Sequence, residues 1–291
     1  MKIKNLLFYN PHSGNGRSQQ LAAVATRVLQ DQGQITVSLP TGSVQTAISG
    51  LIQQAGAYDR LICIGGDGTL NAALTGLLAL KKRPLLGLIP AGTVNNFATK
   101  WKIPSDPLAA LQVIQSKKLQ SINIGECNGR AIASSLVFGS LAEISNSVRQ
   151  KDKQQHGLKI YAWQALKQLP KQKSVLTEFY NDSFSLQAKV WICLLSTSNY
   201  IGGRKYLKSD GDGLHLSMLN DLKLNKLLNY SYFALTGNLR RSSSLTSFDI
   251  KKINIKSSTA TKVYTRIDGD RGPALPVRIV WKPDFIRCYV P

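Results

Sequence analysis

The first 120 residues of this chain alternate short apolar runs with longer segments in which apolar residues recur at helical spacing. Short apolar runs predict buried strands, and the longer segments predict amphipathic helices. The predicted strands are Leu6–Tyr9, Ile35–Leu39, Leu61–Ile64 and Leu85–Ile89. The predicted helices are Arg17–Gln32, Val44–Ala55, Leu70–Leu80 and Val94–Lys100. This alternation predicts a Rossmann-like parallel α/β domain with ligand-binding loops at the carboxyl ends of its strands.

After Asn123 the alternation becomes irregular, and strand-like runs dominate. The predicted strands are Ile132–Phe138, Ala188–Leu195, Leu214–Leu219, Ile250–Ser257, Lys262–Ile267 and Val277–Trp281. Helical patches are predicted around residues 140–151, 158–169 and 222–239. We therefore expect a nucleotide-binding domain at residues 1–123 and a mostly antiparallel β-sandwich domain at residues 124–291. Whether the last strand returns to the first domain is left open.

The net charge of the chain indicates which classes of molecule it can bind. Lys and Arg number 37 against 16 Asp and Glu, a formal net charge of +21. This imbalance predicts attraction to nucleic acid, an acidic membrane surface or phosphorylated ligands, unless it only keeps a basic surface soluble. The basic residues are scattered, without an aromatic-interleaved arginine track or zinc-finger spacing, so we predict no nucleic-acid partner.

Cysteines and the chain start indicate the compartment. Four cysteines lie far apart in strand-like runs, which predicts reduced core thiols, and three isolated histidines show no metal-ligand spacing. The first residues lead into a strand rather than a signal sequence, and no apolar run is long enough to span a bilayer. We expect a cytoplasmic protein that can visit the inner face of the membrane, and leave a homodimer open.

The most informative run is Ile62–Asn71, in which an apolar strand stops abruptly at Gly65-Gly66-Asp67-Gly68-Thr69 and a helical pattern follows. Paired glycines let a polyphosphate approach the backbone, and N–H groups at a helix start favour its negative charge. An aspartate in such a turn would repel phosphate unless a divalent cation lies between them, so Asp67 suggests Mg²⁺. The run predicts a nucleotide-triphosphate site.

Four other segments lie where a phosphoryl-transfer site would need them: Asn10–Gly16, Pro90–Phe97, Asp212–Leu214 and Asp268–Asp270. The first two follow predicted strands, and the last two lie at strand edges in the second domain. Each also has a plainer interpretation. The first two could simply join a strand to a helix, with Thr93 as a helix cap, and the Asp-Gly pairs could be ordinary turns.

Taken in chain order, these segments resemble the diacylglycerol kinase catalytic family, especially its bacterial soluble lipid kinases. The matching motifs are Asn-Pro-x-Ser-Gly, Gly-Gly-Asp-Gly-Thr-x-Asn, Pro-x-Gly-Thr-x-Asn-x-Phe-Ala, Ile103-Pro104, Asp-Gly-Leu and Asp-Gly-acid. Gly-Gly-Asp-Gly-Thr is shared with NAD kinases and, nearly, with phosphofructokinases. The segment Gly92–Ala98 favours the lipid-kinase branch.

The resemblance implies that ATP binds the α/β domain and a lipid enters the interdomain cleft. The residues that it implies for nucleotide binding are Asn10, Thr41, Gly65, Gly66, Asp67, Gly68, Thr69, Leu70, Asn71 and Thr93. It assigns the general base to Asp270, with Asp67 as a second catalytic residue. It also implies a structural Mg²⁺ at the Asp212 carboxylate, with backbone oxygens of Ser209 and Leu214 as co-ligands.

The implied function is that of a lipid kinase. It would use ATP and Mg²⁺ to phosphorylate the hydroxyl of a lipid such as diacylglycerol at the membrane surface. Apolar helical stretches at residues 158–166 and 227–235 could line the lipid cleft. Two alternatives stay open: a NAD kinase-like enzyme, and a catalytically weak regulator that binds nucleotide or lipid.

The chain departs from the family pattern mainly in its acidic residues. Asn96 and Asn123 stand where the family commonly has Asp, Ala72 where it has Glu, and Asp270 where it has Glu. Residues 206–208 also replace a Pro-x-Ala turn beside the implied structural metal. An active enzyme would then rely on Asp67 and Asp270, whereas weakened metal binding would favour the regulator.

Overall fold

This computed structural model describes residues 2–12, 16–93, 95–140, 174–201, 204–205, 211–220, 245–259 and 262–291. The chain divides into two compact units. The first unit comprises Met1–Ala133 and Lys282–Pro291, and the second comprises Ser134–Trp281.

The first unit begins with four parallel strands and the helices that connect them. The strands are β1 (Lys4–Tyr9), β2 (Ile35–Pro40), β3 (Arg60–Gly65) and β4 (Leu85–Pro90). The helices are α1 (Arg17–Asp31), α2 (Val44–Gln54), α3 (Asp67–Leu77), α4 (Asn96–Lys100) and α5 (Pro107–Gln115), with a 3₁₀ turn at Ala55–Ala57. An antiparallel hairpin follows, formed by β5 (Leu119–Cys127) and β6 (Arg130–Ile132).

The strand order in the sheet is β2-β1-β3-β4. All four strands are parallel, but β2 lies on one side of β1 whereas β3 and β4 lie on the other, so the order of addition reverses at β1. Tyr9 is level with Pro40 of one neighbouring strand and with Ile64 of the other, and Gly65 is level with Pro90. The loops that follow these four strands therefore leave the sheet along one edge. In open parallel sheets, ligands bind outside the carboxyl ends of the strands at such a reversal.

Strand β3 shows why the apolar runs become strands of this sheet. All six of its residues are buried, as expected for a central parallel strand covered on both faces.

Two elements of this unit, helix α5 and strand β5, were not predicted. Helix α5 begins with Asp106, whose carboxylate accepts a hydrogen bond from the Ala109 N–H at 2.8 Å, followed by Pro107 at the first helical position.

The second unit is built from antiparallel strands. They are β7 (Ser135–Phe138), β8 (Val175–Tyr180), β9 (Ser185–Val190), β10 (Ile192–Ser196), β11 (Tyr200–Ile201), β12 (Arg204–Lys205), β13 (Leu214–Leu219), β14 (Leu245–Ile250), β15 (Lys252–Ser257), β16 (Tyr264–Ile267), β17 (Asp270–Ala274) and β18 (Val277–Tyr289). One sheet has the order β14-β13-β10-β7-β16-β17. A second contains β9, β8, β15 and the first half of β18.

Aromatic rings from the two sheets of this unit pack against each other. The ring centres of Phe138 and Phe179 lie 6.3 Å apart, and those of Phe184 and Phe248 lie 6.0 Å apart in an edge-to-face arrangement. This is the predicted antiparallel sandwich. From Lys282 onward β18 belongs to the first unit, where Cys288 is level with Leu86 of β4. The fold class predicted from the sequence is confirmed, whereas the roles assigned to the two domains stay predictions.

Three predicted strands are in fact interrupted, each within one apolar run. The breaks fall at residues 133–134, at Trp191 and at Lys251. At the second break, the Trp191 N–H donates to the Leu219 carbonyl oxygen, in the sheet that contains β10. At the third, the Lys251 carbonyl oxygen accepts from the Trp281 N–H, in the sheet that contains β15. These bends let the chain pass between sheets. The predicted helices within residues 141–173 and 221–244 lie outside the described residues.

The four cysteines are all unpaired and buried, as predicted. Burial raises the pKa of Cys127 and of Cys288 to about 12, and it raises the pKa of Cys63 and Cys193 as well. These thiols are therefore protonated in the folded protein at neutral pH, which suits core side chains rather than nucleophiles or metal ligands.

Candidate functional site

The loop between β3 and α3 joins a buried strand to a helix that has no side-chain cap. The first bond of the helix runs from the Leu70 N–H to the Gly66 carbonyl oxygen at 3.0 Å. The N–H groups of Asp67, Gly68 and Thr69 precede that bond and have no acceptor within the helix. Together with the helix dipole, such N–H groups bind anions. This end of α3 can therefore bind a phosphate group.

Two glycines of this loop, Gly65 and Gly66, are required by close packing. A Cβ atom on Gly66 would lie 2.9 Å from the Cα of Gly92, and one on Gly92 would lie 2.5 Å from the Cα of Gly66. A Cβ on Gly65 would lie 2.5 Å from the hydroxyl oxygen of Thr69. The loops after β3 and β4 thus touch backbone to backbone. The sequence suggested glycines for phosphate approach, and loop packing is a second, independent reason for them.

The Asp67 carboxylate joins the same two loops. Its Oδ2 accepts hydrogen bonds from the backbone N–H of Asn96 at 3.0 Å and from the side-chain amide of Asn96 at 3.3 Å. Its Oδ1 accepts from the Phe97 N–H at 3.2 Å. These two N–H groups open α4, and the residue before that helix provides no side-chain cap. Asp67 therefore caps α4 from the neighbouring loop.

The Asp67–Asn96 pair keeps acceptor capacity for a cation or a water molecule. The Oδ1 of Asn96 is buried and has no hydrogen-bond partner among the described residues. A carboxylate oxygen can accept two hydrogen bonds, and one such bond is seen at the Oδ1 of Asp67. Mg²⁺ is commonly bound by one or two protein oxygens together with water and substrate phosphates. These two residues therefore fit a Mg²⁺ ion that arrives with a nucleotide.

Three of the predicted nucleotide-binding residues begin the other loops at this edge. Asn10, Thr41 and Thr93 follow β1, β2 and β4. The Thr41 N–H donates to the Tyr9 carbonyl oxygen at 3.0 Å, and the Oδ1 of Asn10 accepts from the His12 N–H at 2.9 Å. Thr93 is exposed. The structure thus places these three residues at the same sheet edge as the start of α3.

Neither threonine at this edge caps a helix. The hydroxyl oxygen of Ser43, rather than that of Thr41, accepts from the Thr46 N–H at 3.2 Å and caps α2. Asn95, rather than Thr93, is the residue that precedes α4. The plainer interpretation of Thr93 as a cap is therefore not supported. Both threonine hydroxyls remain candidates for contact with a nucleotide.

Two other predicted residues face the interior of the first unit. Leu70 is buried in the core, and the side chain of Asn71 is buried beneath the β5–β6 hairpin. The Asn71 amide nitrogen donates to the Ala131 carbonyl oxygen at 2.7 Å, and its oxygen accepts from Nε of Arg130 at 3.1 Å. Asn71 thus fixes the hairpin against α3. Because both side chains are buried, these two residues could contact a nucleotide through their backbone atoms.

A pocket of about 470 Å³ opens beside Gly92. Arg17 of α1 and Ser105 contribute to its wall, together with Asn95. Asn95 adopts a left-handed conformation (φ 53°), and its side chain bonds both the N–H and the carbonyl oxygen of Gly92 at 3.1 and 2.8 Å. The sequence analysis included Asn95 as part of the Pro90–Phe97 segment, but it did not select Arg17 or Ser105. The available signal was the position of Arg17 directly after a glycine-rich turn.

In the second unit, the predicted general base Asp270 lies at the exposed start of β17. Asp268 (φ 52°) and Gly269 (φ 96°) form the two-residue turn before it. The Oδ1 of Asp268 accepts from the N–H groups of Ser134 and Ser135 at 2.8 and 3.0 Å. The Asp-Gly pair is therefore a turn, as its plainer interpretation held. Because Asp268 anchors that turn to β7, Asp270 is presented on a fixed hairpin.

The predicted structural metal ligands lie just before and within β13. Asp212 is exposed, and its Oδ2 accepts a hydrogen bond from Nζ of Lys251 at 2.6 Å. Leu214 begins β13, and Ser209 lies outside the described residues. Within the described ranges, no three His, Cys, Asp or Glu side chains are grouped to hold a metal. In the described part of this site, one carboxylate is present and an ammonium already balances its charge, which does not fit a divalent cation.

The apolar stretches at residues 158–166 and 227–235, predicted to line a lipid cleft, lie outside the described residues. Of the helices that the structure describes, none has the length and apolar character needed to cross a membrane.

Comparison with known proteins shows what this chain is similar to. Residues 4–127 match the family model of the diacylglycerol kinase catalytic domain. A diacylglycerol kinase from Staphylococcus epidermidis is 28% identical over 296 residues, covering 100% of this chain and 93% of that protein. One from Bacillus subtilis is 28% identical over 280 residues, covering 94% of this chain and 92% of that protein.

Solved structures share the fold over both units. The crystal structure of a diacylglycerol kinase from Bacillus anthracis str. Sterne superposes with a TM-score of 0.71 at 18% identity, covering 99% of this chain and 97% of that one. A second structure from the same organism gives a TM-score of 0.77 at 20% identity, covering 99% and 95%. At this identity the likeness concerns the fold alone.

Proposed function

We infer from the match of residues 4–127 to the diacylglycerol kinase catalytic domain that this chain is a kinase with an alcohol acceptor. On that premise we propose that this chain transfers the γ-phosphoryl group of ATP to the hydroxyl group of a lipid such as diacylglycerol. The observation that carries the proposal is the start of α3. Its N–H groups at Asp67–Thr69 have no acceptor in the helix and lie at the carboxyl edge of a parallel sheet.

The triphosphate binds at that edge. The N–H groups of α3 bond phosphate oxygens, and Arg17 contributes positive charge from the wall of the neighbouring pocket. Asn10, Thr41 and Thr93 contact the nucleotide from the loops after the other strands. Because these donors are held by a rigid sheet and by loops that touch each other, the phosphates are bound in one orientation.

A Mg²⁺ ion fits beside the nucleotide at Asp67 and the Oδ1 of Asn96. It would offset the charge that builds on the phosphate oxygens during transfer. Asn96 brings no negative charge to the ion, so most of the charge that balances it comes from the phosphates and from Asp67. The contribution of this chain is to keep Asp67 in place through the bonds from Asn96 and Phe97.

Transfer itself is a direct displacement. The lipid hydroxyl oxygen forms a bond to the γ-phosphorus while the bond from that phosphorus to the bridging oxygen of ADP breaks. The carboxylate of Asp270 accepts the hydroxyl proton, which leaves a phosphorylated lipid and ADP. The net charge of +21 supports activity at an anionic leaflet, where each nearby Lys or Arg contributes roughly 1 kcal/mol before screening.

The test is transfer of label from radiolabelled ATP to lipid vesicles that contain diacylglycerol and an anionic lipid, with NAD as a parallel acceptor. We expect labelled lipid and no labelled NAD. Asp270→Asn should lower the rate by about 10²–10⁴-fold, as loss of a general base commonly does. Asp182→Asn is the matched control, because Asp182 is an exposed acid of the same unit whose ion pair, among the described residues, is with Lys252 at the surface.

Two outcomes would contradict the proposal. Labelled NAD without labelled lipid would favour the soluble-substrate kinase. ATP binding without transfer to either acceptor would favour the regulator. The second alternative has a specific basis, because Asn96 and Asn123 stand where two acids are common in the family.

A further inference from the structure

A short loop, Gly211–Gly213, precedes β13 and is packed against the end of β14. A Cβ atom on Gly211 would lie 2.0 Å from Oδ2 of Asp249, and one on Gly213 would lie 3.0 Å from the Ile250 carbonyl oxygen. A side chain on either glycine would press on the neighbouring strand, against the Asp249 carboxylate at one position and the Ile250 backbone at the other. The loop has little room to move as long as β13 and β14 stay paired.

Two polar links hold this loop to the strand beside it. The first is the bond from Nζ of Lys251 to Oδ2 of Asp212 at 2.6 Å. The second runs through His215, which is buried: its Nε2 accepts from the Gly211 N–H at 3.3 Å, and its Nδ1 lies 2.5 Å from Oδ1 of Asp249. Since Nε2 is an acceptor here, the ring proton is on Nδ1 and is donated to Asp249.

The charges around Asp212 decide which cation it can take. Lys251 is positive, Asp212 and Asp249 are negative, and the His215 ring is a neutral acceptor towards the loop. Asp249 is directed at His215, so Asp212 is the carboxylate at the loop itself among the residues that the structure describes, which exclude the neighbouring Asp210. A divalent ion bound there would meet the Lys251 ammonium within a few ångströms, and it would have to displace that ammonium to bind the carboxylate. Mg²⁺ gives up its waters reluctantly and gains little from one exposed carboxylate.

We propose that the ammonium group of Lys251 is the cation that fixes the Gly211–Gly213 loop, so that this loop is held without a divalent metal ion. The position of Lys251 is set by the sheet. Leu214 is level with Ile250 in the β13–β14 ladder, so the next residue along the chain lies opposite the loop. The Lys251 carbonyl oxygen also accepts from the Trp281 N–H at 2.8 Å, which fixes its backbone.

The experiment uses the full chain without nucleotide or lipid, so its outcome does not depend on whether the protein is a lipid kinase. Binding of Mn²⁺, as a stand-in for Mg²⁺, is measured by electron paramagnetic resonance, and thermal unfolding is followed in EDTA and in millimolar MgCl₂. The variants are Lys251→Met, Lys251→Arg and Asp212→Asn. Lys252→Met is the matched control, because Lys252 forms a similar exposed pair with Asp182 at 2.9 Å.

We expect the unfolding temperature of the wild-type protein to be the same in EDTA and in MgCl₂. Lys251→Met should raise the affinity for Mn²⁺ on the order of tenfold, because it removes a positive charge a few ångströms from the ion. That gain should disappear when Asp212→Asn is added. Lys251→Arg and Lys252→Met should behave like the wild type towards Mn²⁺.

Either of two results would overturn the proposal. One is a wild-type Mn²⁺ site that Asp212→Asn abolishes, accompanied by loss of thermal stability in EDTA. The other is a Lys251→Met variant whose Mn²⁺ affinity equals that of Lys252→Met.

Discussion

Replacing Asn96 by Asp tests how the turn at the start of α3 tolerates negative charge. In the wild-type protein, the Asn96 amide donates to Oδ2 of Asp67 at 3.3 Å. Asp in this position would lose that hydrogen bond and place a second carboxylate against the first. Two unit charges about 4 Å apart repel by about 1 kcal/mol in water and about 4 kcal/mol at the effective dielectric near a protein surface. Because both residues are partly buried, we expect Asn96→Asp to lower the free energy of unfolding by about 1–4 kcal/mol.

The assay is urea unfolding in EDTA and in MgCl₂, together with ATP turnover at several Mg²⁺ concentrations. A divalent ion between the carboxylates should restore most of the lost stability in the variant and change the wild-type protein less. Turnover should then reach its half-maximum at a lower Mg²⁺ concentration than in the wild type. Asn123→Asp is the matched control. The Oδ1 of Asn123 accepts from the Asp284 N–H at 2.8 Å, and a carboxylate can keep that bond.

One result would refute this reasoning. If Asn96→Asp is as stable as the wild type in EDTA, the two side chains are not in contact, and Asp67 does not depend on Asn96. Loss of stability that Mg²⁺ fails to restore would leave the contact in place but exclude a cation between these residues.

Three further predictions concern packing and burial. Gly92→Ala should lower the free energy of unfolding by about 1–3 kcal/mol in urea titrations, because its Cβ would press on the backbone of Gly66, whereas Gly42→Ala, with nothing within 4 Å, should not. Asn71→Ala should cost about 1–3 kcal/mol, because it leaves buried partners unpaired, yet isothermal titration should show ATP affinity changed less than twofold. Since burial raises the pKa of Cys127 to about 12, a thiol reagent at mildly alkaline pH should react only after unfolding.

The four parallel strands of the first unit could be predicted from the sequence because each is a short apolar run, whereas the start of α3 could not. The helix was predicted to begin at Leu70 and in fact begins at Asp67. Its first turn consists of Asp, Gly and Thr, which are weak helix formers, so the apolar period starts one turn late. The three residues that the pattern missed are those whose N–H groups point out of the helix.

Contacts between loops could not be predicted from local patterns in the sequence. Asp67 caps a helix that begins 29 residues later, and Gly66 needs to be glycine because of Gly92. The strand breaks at Trp191 and Lys251 escaped for a related reason, since a residue at a bend between two sheets can be as apolar or as polar as its neighbours. Such features depend on which loops the sheet brings together, and this is known only once the pairing register of the strands is known.

In the function proposed above, binding of phosphate and binding of Mg²⁺ therefore rest on different parts of this chain. The anion site is made of N–H groups at the start of α3, which persist whatever the surrounding side chains are, provided that Gly65, Gly66 and Gly92 let the loops pack. The proposed cation site depends on side-chain oxygens, and there this chain has an amide at position 96 where the resemblance leads us to expect an acid. A chain of this kind can keep its nucleotide site while its demand for Mg²⁺ shifts. The Mg²⁺ concentration needed for turnover, rather than ATP affinity, is thus where the effect of Asn96 should be largest.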